Sequence, residues 1–317
     1  EEGSAKAFLR SIDCSEVERV GHRFVHGGTR FIKPTLLNKE TLTALESLNP
    51  LAPLHNPRNL LGVKVAQEIL PHAKQVAVFD TAFHASIPKE NYLYALPQKY
   101  TEMGIRRFGF HGLSHASCVD HLKAILGELP RRVISCHLGS GCSIAAVFEG
   151  LSIDTTMGFT PMEGMIMGSR SGSIDPGIAF YLFREGICSP DMLDQELNGA
   201  SGLLGLCGTQ DMRLIENNSD ESSRLGLDLF TRSCAKEVAR MAVSLGGVDA
   251  LLFTGGIGEN SAKVREKVIA LLPFLGLTIE PSLNQKGEEG CLSSDKRVFL
   301  IKSREAEWIA SLVEVIS

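Results

Sequence analysis

The sequence lacks the features that mark several classes of protein. Its eight cysteines include no C-x-x-C pair, which argues against a zinc site or a disulfide framework, and reduced thiols favour a cytoplasmic location. The net charge is -5, and no stripe of basic residues suggests binding to nucleic acid. No apolar run approaches membrane-spanning length. None of the nine histidines has an H-E-x-x-H or similar metal-binding spacing. The expected partners are therefore small molecules.

Length and pattern predict an α/β protein of two domains. A chain of 317 residues exceeds what one hydrophobic core usually supports. Strands and helices are expected to alternate along it, a pattern typical of α/β folds. Strands are predicted at residues 20–25, 75–80, 132–136, 144–148, 250–253 and 298–301, and helices at 5–12, 38–48, 59–70, 223–245 and 304–316.

Two glycine-rich turns indicate a nucleotide site. Residues 137–143 read His-Leu-Gly-Ser-Gly-Cys-Ser between two predicted strands, so they form the turn of a β-hairpin. P-loop and Rossmann glycines lie instead between a strand and a helix. Residues 254–260, Thr-Gly-Gly-Ile-Gly-Glu-Asn, are predicted as a turn that opens a helix over about 261–272. Together the two turns could supply both walls of a nucleotide cleft.

Sequence runs along nearly the whole chain resemble signatures of the acetate kinase family. They occupy residues 21–28, 53–57, 79–84, 108–115, 137–143, 154–164, 168–177, 211–213 and 255–260. The resemblance implies a two-domain ASKHA fold (actin, hexokinase and Hsp70 type, ribonuclease H-like), with domain I at residues 1–82 plus 304–317 and domain II at 83–303. It also implies a cytoplasmic homodimer that moves the γ-phosphoryl of ATP reversibly and directly to acetate. Propionate remains an alternative substrate.

The resemblance assigns catalytic work to Asp80, His111 and Arg170 and carboxylate binding to Arg23. Phosphoryl transfer to a carboxylate brings anions together, so catalysis is mostly positioning and charge neutralisation. Arg170 and His111 would stabilise the phosphoryl group in transfer. The family gives Asp80 acid/base work, but a carboxylic acid is already ionised at pH 7. We therefore expect Asp80 to orient Arg23 or a metal-bound water.

Further site residues are implied by the same resemblance. The acyl pocket would consist of Val25, Leu54, Phe110 and Pro161, with His55 beside it, and these apolar side chains favour a short acyl group. Glu305 would take part in binding Mg²⁺ or Mn²⁺. The residues expected to bind ATP or ADP are His137, Leu138, Gly139, Ser140, Gly141, Asp211, Met212, Arg213, Gly255, Gly256, Ile257, Gly258 and Glu259.

Two departures from the family pattern affect these expectations. Ser173 replaces an Asp in the arginine loop, and we expect this change to loosen Arg170. No Asn-x-Gly-Ser-Ser-Ser-x-Lys turn precedes Gly21, and the sequence begins at Glu1 rather than Met, so domain I is expected to be incomplete. One hypothesis is an acetate or propionate kinase whose first segment lies outside this sequence. The other is a non-catalytic remnant that dimerises and binds nucleotide.

Overall fold

The computed structural model describes residues 2–11, 13–53 and 55–316. Every predicted strand and helix is present within three residues of its predicted ends, Ile12 lying outside the described residues. The strands are β1 (Arg19–Phe24), β2 (Thr35–Leu36), β3 (Lys74–Phe79), β4 (Arg132–Leu138), β5 (Cys142–Phe148), β6 (Leu151–Thr155), β7 (Ala250–Thr254), β8 (Gly290–Cys291) and β9 (Val298–Leu300).

The helices are distributed along the whole chain and alternate with the strands. They are α1 (Glu2–Ser11), α2 (Lys39–Glu46), α3 (Asn56–Ile69), α4 (Lys89–Tyr92), α5 (Gln98–Glu102), α6 (Gly112–Leu126), α7 (Pro176–Arg184), α8 (Pro190–Gly199), α9 (Gly202–Cys207), α10 (Met212–Asn217), α11 (Glu221–Leu245), α12 (Gly255–Asn260), α13 (Ala262–Ala270), α14 (Pro281–Lys286) and α15 (Glu305–Glu314). None of the helices in the described ranges is both long and apolar enough to span a bilayer.

The chain divides into two compact units. The first comprises Glu1–Ser86, Phe108–Ser117 and Arg304–Ser317, and the second comprises Ile87–Arg107 and Cys118–Ser303. This division differs from the expected boundaries chiefly because Phe108–Ser117 belongs to the first unit. Hydrogen bonds explain the difference: the Gly112 N–H donates to the Asp80 carbonyl at 2.9 Å, and His84 Nε2 is 3.0 Å from the Phe110 carbonyl oxygen.

In the first unit, a small sheet has helices on both faces. Its strand order is β1-β3-β2, with β1 parallel to β3 from Arg19 opposite Lys74 to Phe24 opposite Phe79. Ala77 and Phe79 pack toward a cluster with α2 and α3, whereas Val76 and Val78 pack toward α15. Gly21 lets α15 approach closely, since a Cβ there would lie 2.5 Å from Ile309 Cγ2. The parallel strands β1 and β3 therefore end at one well-packed edge.

The second unit is built on a six-stranded sheet of order β6-β5-β4-β7-β9-β8. Strands β4 and β5 pair antiparallel, with His137 opposite Ser143, which confirms the predicted hairpin. Strand β7 runs parallel to β4, so the segment after β7 lies beside the hairpin turn. The long helix α11 packs against β4, β5 and β6 and buries Phe230, Val238 and Met241.

The second glycine-rich segment differs from its prediction. Gly255–Asn260 is not a turn that precedes a helix but is itself a helix, α12, and α13 follows it. The Glu259 side chain accepts a hydrogen bond from the Gly255 N–H at 3.0 Å, so this N-terminal donor is satisfied within the helix. Gly255 has φ +79°, a conformation that glycine adopts without strain.

Candidate active site

Arg23, Asp80 and Glu305 form a charged cluster in the first unit. Arg23 is the next-to-last residue of β1 and Asp80 directly follows β3, so the two side chains meet at the same sheet edge. Arg23 Nη2 donates to Asp80 Oδ2 at 2.7 Å and Nε donates to Oδ1 at 3.1 Å, while Nη1 lies 3.2 Å from Glu305 Oε2. The Arg23 side chain remains 41% exposed. The guanidinium is thus held on two sides and still accessible to an anion.

Burial and the charges of neighbouring side chains shift the pKa values of Arg23 and Asp80 in opposite directions. Burial raises the pKa of Asp80 to about 6, against the attraction of Arg23, and the nearby Glu305 adds to the rise. Burial alone would lower the pKa of Arg23, but Asp80 and Glu305 raise it above its ordinary value. Arg23 therefore stays charged at neutral pH, as the binding of a carboxylate requires.

The same two carboxylates are suitable ligands for a divalent cation. Mg²⁺ usually binds one or two protein carboxylates together with waters and substrate phosphates. The described residues contain no group of three or more His, Cys, Asp or Glu that could hold a metal. Asp80 and Glu305 supply two carboxylates of the kind that Mg²⁺ prefers, and an ion held by them would need further oxygen ligands such as water or phosphate.

The end of β1 is tied to the start of α3 through Asn56. The Asn56 side chain is fully buried, accepts from the His26 N–H at 3.3 Å and donates to the His26 carbonyl at 3.1 Å. The Val25 N–H donates to Asn59 Oδ1 at 3.4 Å. His55, the N-cap residue of α3, is therefore next to the residue that bonds the Val25-His26 segment. Leu54 lies outside the described residues.

Sequence reasoning missed Asn56, although the Leu-His-Asn-Pro run contains it. The available signal was a polar residue between a predicted site histidine and a helix-starting proline. Such a residue is usually a turn residue, and only the fold shows that its amide bonds a strand end thirty residues earlier.

His111 lies beside Asp80 in an uncommon backbone conformation. Its φ is +56°, which is left-handed for a residue with a side chain. Phe110 before it is buried, and Gly112 after it contacts the Asp80 carbonyl so closely that a Cβ would overlap it. Backbone strain of this kind persists only where surrounding contacts impose it and is found mainly at functional sites. The structure thus brings the backbone that follows Phe110 and His111 against the backbone of Asp80 in the first unit.

Arg170 lies in the second unit without a carboxylate partner among the described residues. Its Nη1 donates to the Pro161 carbonyl at 3.2 Å and lies 4.0 Å from Met167 Sδ. Burial lowers the pKa of Arg170, whereas Arg23 has two acidic partners. A half-buried guanidinium with only neutral partners is suited to an anionic ligand.

Ser173 in the arginine loop is hydrogen-bonded to Gly164 through both its side chain and its backbone, and the loosening of Arg170 expected from this serine stays a prediction. Ser173 Oγ accepts from the Gly164 N–H at 3.0 Å, and the Ser173 N–H donates to the Gly164 carbonyl at 2.8 Å. This pair of hydrogen bonds fastens the arginine loop to the segment that carries Pro161. A hydroxyl at this position supplies the acceptor that the Gly164 N–H needs.

A cavity of about 500 Å³ in the second unit brings together most of the predicted nucleotide residues. Its size lies within the range of small-molecule sites. It is lined by predicted Gly139, Ser140, Asp211, Met212, Arg213, Gly256 and Ile257, and by Gln210, Glu216, Asn260 and Ser261, which were not predicted. The missed residues are polar positions within three residues of predicted ones, and the exposure of Glu216 and Asn260 to the cavity depends on the helical course of α10 and α12.

The other predicted nucleotide residues form the frame of this cavity. In the described part of the chain His137, Leu138, Gly141, Gly255, Gly258 and Glu259 do not line it. Leu138 is fully buried and its backbone contacts Gly255, so β4 supports the start of α12. Glu259 accepts from the Gly255 and Ser303 N–H groups at 3.0 and 3.1 Å. These residues hold the cavity wall in place.

The two-unit α/β fold, the cavity and the cationic side chains define a kinase-type protein, and comparisons with known proteins identify its family. The model of the Acetokinase family matches residues 6–311, so the chain belongs to that family. Acetate kinase from Protochlamydia amoebophila (strain UWE25) is 45% identical over 303 residues, 94% of this chain and 76% of that protein. Acetate kinase from Bacillus subtilis (strain 168) is 45% identical over 309 residues, 94% of this chain and 78% of that protein.

Solved structures share the fold. The structure of a propionate kinase from Francisella tularensis subsp. tularensis SCHU S4 has a TM-score of 0.94 and 39% identity, and the match covers 100% of this chain and 84% of that one. Porphyromonas gingivalis acetate kinase has a TM-score of 0.93 and 37% identity, with 100% and 85% covered. The predicted two-domain α/β fold of this family and the predicted family are confirmed, and the protein is an enzyme of the phosphotransferase class.

Proposed function

We propose that this enzyme transfers the γ-phosphoryl of ATP reversibly to a short carboxylate, with acetate as the preferred acceptor. The observation that carries the proposal is the Arg23 guanidinium, which is fixed by Asp80 and Glu305 and still accessible. A carboxylate oxygen forms a new bond to phosphorus while the bond to the β,γ-bridging oxygen breaks, and ADP leaves. Propionate is the second candidate, because a solved propionate kinase from F. tularensis is 39% identical to this chain.

The residues divide this chemistry between binding and charge stabilisation. Arg23 binds the acceptor carboxylate, and Asp80 holds Arg23 in place rather than removing a proton, since the acceptor is already ionised. Val25, Leu54, His55, Phe110 and Pro161 are proposed to contact the acyl group. Arg170 and His111 stabilise the negative charge on the transferring phosphoryl oxygens.

ATP or ADP is proposed to occupy the cavity lined by Gly139, Arg213 and Gly256, with the frame residues behind it. Mg²⁺, or Mn²⁺ in its place, would bind Asp80 and Glu305 together with the phosphates and neutralise their charge. When this ion is bound, it neutralises charge on the phosphates, while the protein residues hold the nucleotide and the acceptor in position.

Trapping of the acyl phosphate tests the proposal. The 317-residue chain is incubated with ATP, Mg²⁺ and acetate in hydroxylamine, and the hydroxamate is measured, with propionate and butyrate in parallel. We expect turnover with acetate, and Arg23→Ala should lower kcat/KM for acetate about 10- to 100-fold because a charge-assisted contact is lost. Arg30→Ala, which removes an exposed arginine paired with Glu40 at 2.9 Å, is the matched control and should change little.

Two outcomes would contradict this assignment. Nucleotide binding without hydroxamate would support the non-catalytic hypothesis. Equal losses in Arg23→Ala and Arg30→Ala would show that Arg23 does not bind the acceptor.

We also propose that the enzyme is a cytoplasmic homodimer. Helix α7 has no buried residue, and Ile178, Phe180 and Tyr181 on it are 47%, 62% and 54% exposed. Apolar surface of this kind on a stable helix is typical of an interface. The eight cysteines all lie within the described residues and form no disulfide there, which suits a reducing compartment.

The oligomeric proposal has a simple test in light scattering coupled to size exclusion. Phe180→Asp should shift the protein toward the monomer. Phe274→Asp, at an aromatic residue that is 69% exposed outside this surface, should leave the mass unchanged. A monomeric wild type would overturn the proposal.

A further inference from the structure

The segment of residues 155–164 supplies a hydrogen-bond acceptor to Arg170. It begins at Thr155, the last residue of β6, and its described residues 156–164 contain no helix or strand. Arg170 Nη1 donates to the Pro161 carbonyl at 3.2 Å, near the end of this segment. An irregular segment keeps one conformation only if its backbone groups have fixed partners, so the partners of residues 155–164 bear directly on Arg170.

Arg107 holds the beginning of the segment. Its Nη1 lies within hydrogen-bond distance of three successive carbonyls, those of Thr155, Thr156 and Met157, at 3.2, 3.0 and 3.2 Å. Its Nη2 donates to Glu163 Oε1 at 2.6 Å. Arg107 is only 7% exposed, so these bonds are largely protected from water. One guanidinium thus joins residues 155–157 to residue 163.

Tyr94 makes the second connection through the other oxygen of the same carboxylate. The Tyr94 hydroxyl donates to Glu163 Oε2 and accepts from the Phe159 N–H at 2.9 Å. Burial, and next the hydrogen bond to Glu163, raise the pKa of Tyr94, so its hydroxyl keeps the proton that it donates. Gly158 leaves room for both side chains, because a Cβ there would overlap Glu163 and Tyr94.

We propose that Glu163 is a positioning residue for phosphoryl transfer. Its carboxylate accepts from Arg107 and Tyr94 at once, closes residues 155–163 into a fixed loop and thereby sets the Pro161 carbonyl that orients Arg170. The inference rests on the proposed function, in which Arg170 acts on the transferring phosphoryl group. Sequence and comparison assign no role to Glu163 beyond its place in a family signature.

Glu163→Gln is the direct test, because an amide can accept at only one of its two positions. We expect kcat to fall about 10- to 100-fold, since a small displacement of a catalytic group has effects of this size. KM for ATP should stay within about twofold, because the cavity lined by Gly139 and Arg213 does not contain Glu163. Glu149→Gln, which breaks an exposed 2.8 Å pair with Arg131 in the same unit, is the matched control and should leave kcat unchanged.

A double-variant cycle with Arg170 separates positioning from a general structural role. Arg170→Ala alone should lower kcat about a thousandfold, as for other arginines that stabilise phosphoryl transfer. If Glu163 acts through Arg170, adding Glu163→Gln to Arg170→Ala should cost no further activity. If the double variant loses kcat by the product of the two single losses, the inference is overturned.

The remaining outcomes distinguish this inference from the proposed function. If Arg170→Ala lowers kcat and Glu163→Gln does not, the positioning role is wrong while the proposed function stands. If Arg170→Ala itself leaves kcat unchanged, the role proposed for Arg170 fails, and the positioning role fails with it. Tyr94→Phe removes one of the two bonds to Glu163 and decides the question if Glu163→Gln does not fold by circular dichroism; it should lower kcat with unchanged KM for ATP, and an unchanged kcat would refute the inference.

Discussion

At the scale of single residues, the two candidate arginines differ in their partners. Arg23 is held by Asp80 and Glu305, whereas Arg170 has only a carbonyl and a thioether beside it among the described residues. The difference matches the proposed roles. A group that binds a stable carboxylate needs a fixed direction, and a group that stabilises developing charge benefits from having no competing anion.

The buried Asp80 carboxyl makes stability depend on pH. Its pKa of about 6 in the native state lies above the ordinary 3.8, so between these values the native state keeps a proton that the unfolded state releases. This contribution is fully present below about pH 4 and is lost as pH rises through about 6. The melting temperature of the wild type relative to Asp80→Asn should therefore increase as pH falls from 7.5 to 5.

A second aspartate provides the control for that measurement. Hydrogen bonding to Arg132 holds the pKa of Asp249 below its usual value, so its stabilising contribution is lost only in acid below about pH 4. The difference in melting temperature between wild type and Asp249→Asn should stay constant from pH 7.5 to 5. If the melting temperatures of wild type and Asp80→Asn also differ by a constant amount, the attraction of Arg23 must outweigh the effect of burial on the pKa of Asp80.

At the scale of elements, the hairpin was predictable and the glycine-rich helix was not. Alternating apolar runs on both sides of residues 137–143 specify two paired strands. The three glycines of α12 argue against a helix on propensity. Local sequence does not show that Arg265, five residues beyond α12, donates to the Gly258 and Glu259 carbonyls at 2.9 Å each.

Arg265 is therefore expected to stabilise α12 and the cavity that it lines. It is 1% exposed, bonds Asn284 through Nε and Nη2 at 2.7 Å each, and burial lowers its pKa to about 10. Arg265→Ala leaves several buried acceptors unsatisfied, at about 1–3 kcal/mol each. We expect a lower midpoint in urea unfolding and weaker ADP binding. Arg224→Ala, at an exposed arginine in α11, should change both by little; equal effects of the two substitutions would refute this role of Arg265.

At the scale of the whole molecule, the proposed nucleotide cavity and Arg23, the proposed acyl-binding residue, belong to different compact units. The family and the fold class follow from the sequence, because the matching runs are long and ordered. The contacts of Asn56, Ser173 and Glu163 do not follow from the sequence, because each of these residues bonds a residue that lies nine or more positions away along the chain. Such bonds depend on how strands and loops are placed in space.

Nucleotide binding should stabilise the second unit more than the first. A ligand at 100 times its Kd adds about 2.7 kcal/mol to the unit that binds it. Trp308, the sequence's one tryptophan, packs on the first unit's core, so its fluorescence reports that unit, while most helices lie in the second. With ADP, the thermal transition followed by far-UV circular dichroism should rise more than the fluorescence transition. A rise confined to fluorescence would contradict the location of the nucleotide site.

Phosphoryl transfer between ATP and a short carboxylate is observed most directly by phosphorus NMR. With ATP, Mg²⁺ and acetate, the 317-residue chain should produce acetyl phosphate and ADP in equal amounts, and adding ADP to acetyl phosphate should regenerate ATP. Arg170→Ala should slow both directions. ATP that is bound but unchanged, or ADP that appears with inorganic phosphate instead of acetyl phosphate, would contradict the account.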